Sequence, residues 1–412
     1  MKQTVIKNLL PILALGISGT ALAEETAPPP SPTQMWDLIQ KQQKEINELK
    51  SHLESTQKQL QETNQVVNRP VEKTTTVSSE AGATNRWSDK ISIGGAIEVE
   101  ASHVSDVNDV NTSDVTLATA EINLDAKISE WSAAQIVLLY EEGETDPINV
   151  DSATITLGNL EKLPLYLTAG LMTLPFGGYP TQLISDPLTL EMGETSDTAI
   201  QVGVDSNGIT GSVFAYNGQS QLTGDGDTID HFGMNVGYTY ENPKFNVELG
   251  LSYTNALENS DGISGADLDG NGVADVNIGS MANHIGAVAG HAIFKMAGIS
   301  VMGEYLTATE RFATGELAWN GSGAEPSAWN GEIGYTLDIK GYETTLSAAY
   351  QGTKEAVNIG LPERRLLGGV SVGIFENTKL AVELTKSKDY EVRDGGSGGD
   401  ENTATMQLAV GF

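Results

Sequence analysis

The stretch that decides the fold is FNVELGLSYT, residues 245–254. Its apolar side chains occupy every second position, and polar residues or glycine occupy the positions between them. Successive side chains of a β-strand point to opposite faces of the sheet, so this segment has one apolar face and one polar face. The same alternation runs through residues 118–127 and 332–339. This period of two predicts that the body of the chain is built from amphipathic β-strands.

Outward from that stretch, the pattern predicts sixteen strands between Lys90 and Phe412. The predicted strands are 90–102, 115–128, 131–141, 150–158, 165–173, 198–205, 209–217, 230–241, 244–255, 280–295, 298–309, 329–340, 342–352, 365–375, 378–388 and 403–412. Their connections alternate between short ones, such as 376–377, and long acidic ones, such as 174–197. Such sorting is typical of a membrane β-barrel, with tight turns at one end and long loops at the other. A soluble β-sandwich gives no reason for it.

The sequence therefore predicts an all-β transmembrane barrel of 16 antiparallel strands over residues 88–412. In hydrocarbon every backbone N–H and C=O group needs an internal partner, so the sheet must close on itself. A barrel of sixteen strands leaves a water-filled lumen, whereas eight strands are filled by side chains. A hollow interior makes transport of a small solute the expected function, with membrane lipid around the outside.

The amino-acid composition excludes several classes of partner and site. The 412 residues include 23 Lys and Arg, 55 Asp and Glu, and no cysteine, which gives a net charge of −32. Such a charge argues against nucleic acid as a partner, because phosphates bind clustered basic residues. The absence of cysteine removes disulfides, thiolate metal sites and cysteine nucleophiles. Beyond residue 23 there is no run of 18 apolar residues for a transmembrane helix.

Catalysis is not expected from the motifs. No G-x-S-x-G stretch occurs, and the histidines lack the H-E-x-x-H spacing of a metalloprotease. The five histidines are His52, His103, His231, His284 and His291. They are interpreted as ordinary polar residues, and the protein is predicted not to be an enzyme and to require no cofactor. A site assembled from residues distant in sequence stays open.

Four segments precede the predicted barrel. Residues 1–23 have the basic start, apolar stretch and Ala-Leu-Ala ending of a secretory signal peptide. Residues 24–34 form a proline-rich spacer, and residues 35–69 carry apolar residues at intervals of seven, as in a short coiled coil. An amphipathic helix lying on another surface is the alternative. Residues 70–87 are interpreted as a linker. A coiled coil here predicts a homo-oligomer, most simply a trimer.

The last predicted strand alternates in polarity and ends at Phe412. A terminal aromatic residue on an amphipathic strand resembles the signal recognised by the outer-membrane barrel assembly machinery. With an even number of strands, both barrel ends lie on the periplasmic side. We therefore expect the outer membrane of a Gram-negative cell, with the N-terminal segment in the periplasm.

The polar faces of the strands predict the electric field of the lumen. The predicted lumen-lining residues are Glu98, Glu100, Glu121, Asp125, Lys127, Glu248, Glu304, Glu332, Asp338 and Glu383. Carboxylates outnumber the single lysine, and rings of carboxylates favour cations. The rarer basic residues near the loop end are candidates for anion contact, and they are Arg311, Arg364, Arg365 and Arg393.

The third long connection, residues 174–197, is the candidate for a pore constriction, because the corresponding loop of general porins folds inward. Its prolines and glycines fix a defined path, and its carboxylates would line the remaining gap. The constriction candidates are Phe176, Tyr179, Asp186, Glu191, Glu194 and Asp197. The alternative is a surface loop that only packs over the rim.

One loop contains a pattern typical of calcium binding. Asp267, Asp269, Asn271 and Asp275 place oxygen donors at positions 1, 3, 5 and 9, with glycine at position 6. Position 12 is Ile278, where an EF-hand has glutamate. The candidates are a Ca²⁺ site that orders the loop and a flexible acidic loop.

The segments 170–177 and 185–195 resemble the LbtU-type siderophore porin family, as does the order of signal peptide, coil, linker and barrel. The resemblance covers nearly the whole mature chain, although the Pro-Phe-Gly element also occurs in DcaP-like and phosphate-selective porins. It implies uptake of a ferric siderophore, or a similar small polar solute, without a plug domain. The alternatives are a general or dicarboxylate-type diffusion porin and an envelope tether or adhesin.

Overall fold

A computed structural model describes residues 90–412, apart from 109, 144–146, 225, 227, 267–275 and 277. The described residues form a closed barrel of sixteen antiparallel strands, each paired with its neighbours along the chain. The predicted fold class is thereby confirmed for the barrel. The predicted signal peptide, spacer, coiled coil and linker, and the calcium-loop residues Asp267, Asp269, Asn271 and Asp275, lie outside the described residues.

The strands are β1 Ile91–Ser105, β2 Asn111–Lys127, β3 Ser132–Tyr140, β4 Asn149–Gly158, β5 Leu165–Thr173, β6 Ser196–Ser206, β7 Ile209–Tyr216, β8 His231–Glu241, β9 Phe245–Thr254, β10 Ala287–Met296, β11 Ile299–Ala308, β12 Ser327–Ile339, β13 Tyr342–Lys354, β14 Arg364–Phe375, β15 Thr378–Lys388 and β16 Asp400–Gly411. A small two-stranded ribbon, in which Ala318–Trp319 pairs with Ser322–Gly323, lies between β11 and β12. Two short helices, α1 Leu188–Gly193 and α2 Asp261–Ser264, lie in long loops.

Strand β1 closes the barrel against β16. The pairing runs from Ala96 opposite Gly411 to Ser105 opposite Asn402. Gly95 and Phe412 exchange two backbone hydrogen bonds of 3.0 Å, so the C-terminal residue takes part in the closure. A closed ladder leaves no unpaired strand edge, which is what a bilayer requires of a β-structure.

Tight turns join the strands at one end of the barrel. Asn207 and Gly208, between β6 and β7, have φ of 53° and 80°, and Lys340 and Gly341, between β12 and β13, have φ of 57° and 89°. Positive φ at both central residues defines the type I′ turn, whose twist matches that of the flanking strands. A Cβ on Gly208 would lie 2.2 Å from the Thr239 carbonyl oxygen, so this turn requires glycine. The opposite end carries the long loops.

The outward face of the barrel is apolar and exposed. Its exposed side chains include Ile93, Ile122, Ile155, Ile200, Val213, Leu251, Ile333, Leu346, Leu366 and Leu384. A contiguous apolar surface of this extent indicates contact with lipid or with another apolar partner. Among the described residues, no helix has the length and apolar character needed to cross a membrane.

The principal apolar core of the described residues is built largely from loops. Phe176, Leu188, Leu257, Met281 and Phe312 are buried in it together with residues of β10 to β12. This packing explains one difference from the predicted strands. The tenth strand begins at Ala287 rather than at 280, because apolar residues just before it are buried under loops instead of facing lipid.

Candidate pore constriction

The third long loop, L3 (residues 174–195), folds back into the barrel rather than over its rim. Its two ends are joined by a hydrogen bond of 2.8 Å from the Leu174 N–H to the Thr195 carbonyl. Between them the chain reaches side chains of strands β9, β11, β12, β13 and β15. A contact with so many inward-facing wall residues requires that L3 lie inside the lumen.

Glu304 of β11 holds the first part of L3. Its Oε1 accepts the Gly178 N–H at 2.7 Å, and its Oε2 accepts the Tyr179 N–H at 3.0 Å and the Thr189 hydroxyl at 2.8 Å. The residue is 5% exposed. Hydrogen bonds from N–H groups to an ionised carboxylate are the strong kind. Burial of the charge is compensated by these three donors.

Two further wall carboxylates hold the middle of L3. Glu332 of β12 accepts the Gln182 N–H and the Thr181 hydroxyl, each at 2.9 Å. Glu383 of β15 accepts the Ile184 N–H at 2.7 Å and the Ser185 hydroxyl at 2.5 Å. They are 3% and 1% exposed. Glu304, Glu332 and Glu383 are hereafter the L3 anchors. All three were predicted as lumen-lining residues, and the structure places them beneath the loop.

The face of L3 turned away from the free lumen is apolar. Phe176, Leu188 and Met192 are buried in the loop core, and Tyr179 packs against it. The fifth long loop, L5 (residues 255–286), packs directly on L3. A Cβ on Gly262 would lie 1.8 Å from the Glu191 carbonyl oxygen, so the two loops meet there at a distance that glycine alone permits. L3 is therefore fixed by both the wall and another loop.

The remaining edge of L3 is charged. Glu191 pairs with Arg365 of β14 at 2.5 Å, and the same guanidinium donates to the Asp186 carbonyl at 3.3 Å. The carboxylates of Asp186, Glu100 and Glu121 all act electrostatically on Glu98 of β1. Asp186 is itself exposed. The edge of L3 that carries Asp186 is thus within electrostatic range of Glu98, and we take the space between this edge and the β1–β2 wall as the candidate gap.

Two carboxyl groups where L3 meets L5 have raised pKa values. Burial, with Asp261 and Asp186 nearby, raises the pKa of Glu194 to about 7. Burial raises the pKa of Asp261 to about 6, with Asp197 and Asp151 adding to the effect. The Asp261 N–H also donates to the Glu194 carbonyl at 2.8 Å. Asp197, at the start of β6, accepts the Gly218 N–H at 2.9 Å. This contact between L3 and L5 is therefore protonated in part near neutral pH.

The β1–β2 wall carries the other predicted lumen carboxylates. Glu98 and Glu100 accept hydrogen bonds of 3.1 Å and 2.9 Å from the Gln407 side chain of β16. Asp125 accepts one of 3.0 Å from Gln135. A cavity of about 1100 Å³ at the short-turn end includes Glu98 and Asp125 in its lining. These groups contact side chains of neighbouring strands rather than the backbone of L3.

Of the other predicted lumen residues, Glu248 of β9 lines a cavity together with Gly177 and Gly178 of L3 and is 3.5 Å from His291. Asp338 accepts the Gly341 N–H of a tight turn at 2.9 Å, and Lys127 ends β2. Each of the four predicted anion-contact arginines has a carboxylate partner. Besides the Arg365 pair, Arg311 contacts Glu355 at 3.0 Å, Arg364 contacts Glu363 at 2.9 Å and Arg393 contacts Asp394 at 3.3 Å. These pairs reduce the positive field offered to an anion.

One cluster was not predicted from the sequence. Asp230, His231 and His284 bring a carboxylate and two imidazoles together at the loop end. His231 begins β8 and His284 lies at the end of L5. The two histidines are far apart in sequence, and no local spacing relates them. Only the folded arrangement of β8 and L5 brings them together.

The closed sixteen-strand barrel, apolar outside and with a loop fixed in its lumen, defines a porin-like β-barrel. Solved porin structures show the same fold. The outer membrane channel DcaP of Acinetobacter baumannii covers 78% of this chain and 97% of its own length with a TM-score of 0.53 at 12% identity. OprB of Pseudomonas putida matches 79% of this chain and 95% of its own length with a TM-score of 0.54 at 11% identity.

Two proteins that are related to this chain in sequence are both named UPF0422 proteins. A UPF0422 protein of Legionella pneumophila is 28% identical over 322 residues, which cover 73% of this chain and 60% of the relative. A UPF0422 protein of Coxiella burnetii is 24% identical over 309 residues, covering 73% and 65%. The chain spans about three fifths of the length of the first of these relatives. No family model matches the chain.

Proposed function

We propose that this protein is an outer-membrane channel that admits small polar solutes and prefers cations. The observation that carries the proposal is the arrangement of charges around L3. Three wall carboxylates hold the loop, while Asp186 on its edge lies close enough to Glu98 to act on it electrostatically, as Glu100 and Glu121 also do. The predicted anion-contact arginines are paired with carboxylates. Carboxylates around a water-filled gap raise the local concentration of cations.

The described residues border a cavity at each end of the barrel. One of about 500 Å³ at the loop end includes Arg365 in its lining, and the cavity at the short-turn end includes Glu98. The proposed path therefore passes between the edge of L3 that carries Asp186 and the β1–β2 wall.

Single-channel recording in a planar bilayer tests this function. Protein refolded in detergent is added to one side, and the reversal potential is measured in a KCl gradient. We expect steady conductance and a reversal potential of the sign given by a channel that passes K⁺ more readily than Cl⁻. Chloride preference would contradict the assigned field. The absence of conductance from a correctly folded barrel would favour an envelope tether or adhesin.

For the solute, we retain uptake of a ferric siderophore or a similar small polar solute, as the LbtU-type resemblance implies. The acidic gap favours a neutral or cationic complex over a polycarboxylate, because like charges repel. The rival, a dicarboxylate-type porin, requires anions to pass the same carboxylates. Conductance recorded with a cationic ferric siderophore, and separately with succinate, distinguishes them. A block by succinate with none by the siderophore would favour the rival.

The proposed cellular setting follows from the same fold. Membrane lipid would surround the apolar outer face, and the assembly machinery would recognise the terminal strand with Phe412. The coiled coil predicted over residues 35–69 would extend into the periplasm and join three copies. Ca²⁺ bound at residues 267–275 would order part of L5. Crosslinking of the protein in outer-membrane vesicles tests the trimer, because only a self-associating chain gives trimer-sized products.

A further inference from the structure

The cluster of Asp230, His231 and His284 has the composition and spacing of a metal site. The Asp230 Oδ1 is 3.1 Å from the His231 Nδ1, and its Oδ2 is 3.3 Å from the His284 Nε2. One donor atom from each residue lies within 4.8 Å of the other two. Ligands about 2.0–2.1 Å from a tetrahedral ion lie roughly 3.3 Å apart. Both separations to the carboxylate are near this value, although each involves a different oxygen and the His284 contact is also a hydrogen bond.

The His231 ring supplies a second observation. The residue is 1% exposed, and its Nδ1 has no hydrogen-bond partner in the described part of the chain. Asp230 and the main chain of Asn217 are close to the ring, but neither is aligned with Nδ1 for a hydrogen bond. A buried polar atom without a partner is costly. A lone pair directed at an ion would remove that cost.

The far side of each imidazole is held by another residue. The His231 Nε2 is 2.9 Å from the Ser220 hydroxyl. The His284 Nδ1 is 2.8 Å from Glu258, which is fully buried and also accepts the Ile285 N–H at 3.0 Å. A metal-binding histidine almost always bonds through its other nitrogen to a carboxylate or similar group, which fixes the ring. Both histidines meet this condition.

We propose that Asp230, His231 and His284 bind one divalent transition-metal ion of the zinc class. Two imidazole nitrogens with one carboxylate suit Zn²⁺, whereas Ca²⁺ and Mg²⁺ prefer sites made wholly of oxygen donors. The three protein ligands leave room for water as a further ligand. Because Asp230 precedes β8 and His284 lies near the end of L5, the ion joins two separate loop segments.

The ion would also act on the constriction. L5 carries Asp261, whose N–H donates to Glu194 of L3, and Gly262, which meets the Glu191 carbonyl. Glu258, the partner of His284, lies three residues before Asp261. An ion that fixes His284 therefore fixes the part of L5 that supports L3. This makes the site a structural brace for the pore loop, with no reaction assigned to it.

Zinc titration of the full-length protein tests the proposal. The refolded protein is stripped with EDTA, and binding of ZnCl₂ is measured by calorimetry, with Co²⁺ absorption as a second probe of coordination. We expect one tightly bound ion per chain. His231→Ala and His284→Ala should each remove tight binding, and His103→Ala, which alters an exposed histidine bonded to Ser113, should retain it.

Glu258→Gln tests the role of the residue behind His284. Loss of such a partner typically weakens metal binding about 10–100-fold. We expect a loss in that range with the stoichiometry unchanged. Heat-dependent migration on SDS gels verifies that each variant is a closed barrel. If a histidine variant does not fold, Asp230→Asn is used in its place. Asp230 is partly exposed, so this variant should fold, and a loss of tight zinc binding is again expected.

Two outcomes would overturn the proposal. If folded wild-type protein takes up no zinc, the cluster is not a metal site, and His284 is instead a protonated imidazole held between Asp230 and Glu258. Zinc bound equally well by wild type and by the folded His231→Ala and His284→Ala variants would place the ion elsewhere. These readouts measure binding, so they are independent of whether the barrel conducts.

Discussion

Two sides of the lumen wall, the L3 anchors and the β1 strand, use the same residue type for different purposes. On strands β11, β12 and β15, Glu304, Glu332 and Glu383 are buried beneath L3 and accept its backbone N–H groups. On β1, two strands away from β15, Glu98 and Glu100 accept hydrogen bonds from Gln407 and lie beside the gap. All of them occupy inward positions of amphipathic strands. Strand alternation therefore identifies an inward carboxylate, but the loop that covers it decides whether it holds structure or shapes the field.

The difference has an energetic basis. A carboxylate removed from water is tolerated when several donors replace the lost hydration. Glu304 has three donors from L3, and two of them are backbone N–H groups that would otherwise be unpaired inside the barrel. Glu98 and Glu100 keep contact with water and depend less on any partner. The anchors and the gap carboxylates should therefore respond differently to the same substitution.

The largest effect is expected from Glu304→Ala. Each hydrogen bond to a charged group contributes about 1.5–3 kcal/mol, and this change removes three of them while leaving two backbone N–H groups buried. Even a loss of about 3 kcal/mol of binding free energy would lower the equilibrium constant for docking of L3 on the wall by roughly a hundredfold. We expect a higher and noisier single-channel conductance, and cleavage of L3 by chymotrypsin at Phe176 or Tyr179.

The matched control is Glu100→Ala, on β1. Glu100 accepts a hydrogen bond from a side chain and none from L3 among the described contacts. It should leave chymotrypsin resistance and conductance noise unchanged. Equal loosening of L3 by both substitutions would remove the distinction between the two sides, and a resistant Glu304→Ala protein would show that L5 alone fixes the loop.

Much of the barrel could be predicted because the alternation of polar and apolar residues within each strand shows which face is lipid-facing and which is lumen-facing. Alternation in residues 245–254, with the sorting of short and long connections, was enough for sixteen strands and their antiparallel order. Loop packing was not accessible in this way. Phe176 and Leu188 are apolar residues in a loop, and whether such residues face lipid, a rim or a core depends on segments far away in sequence.

The candidate constriction could also be predicted only in part. The position of L3 in the lumen was a sequence hypothesis drawn from its place in the strand order, and its carboxylates were identified with it. The role of Glu304 was not predictable, since its donors come from residues more than 110 positions earlier. The pairing of His231 with His284 likewise depends on L5, where no local motif marks the site.

A second prediction concerns pH, at the contact between L3 and L5. The pKa values of Glu194 and Asp261, about 7 and about 6, exceed their ordinary values of 4.5 and 3.8. The folded contact therefore binds protons more strongly than the separated loops, and its stability falls as pH rises from about 4 to 7. We expect faster chymotrypsin cleavage of L3 and stronger cation preference at pH 8 than at pH 5.

The variants Glu194→Gln and Asp261→Asn separate the two contributions. Glu194→Gln should flatten the change near pH 7, and Asp261→Asn the change near pH 6. Glu100→Gln, on β1, should leave both the midpoint and the size of the change as in wild type. A pH dependence that persists in the double variant Glu194→Gln with Asp261→Asn would place the titrating groups elsewhere.

The smallest effect is expected from Glu98→Gln, which removes one charge beside the gap and no contact with L3. A unit charge about 8 Å from a permeant ion in water contributes about 0.5 kcal/mol, roughly a twofold change in local cation concentration. Salt at physiological strength screens over a similar distance of about 8 Å, so the effect should shrink further as KCl is raised. The reversal potential should move slightly toward zero while conductance noise and chymotrypsin resistance stay unchanged. A large change in either of the last two would mean that the β1 wall also holds the loop, and the contrast between the two sides would then be one of degree.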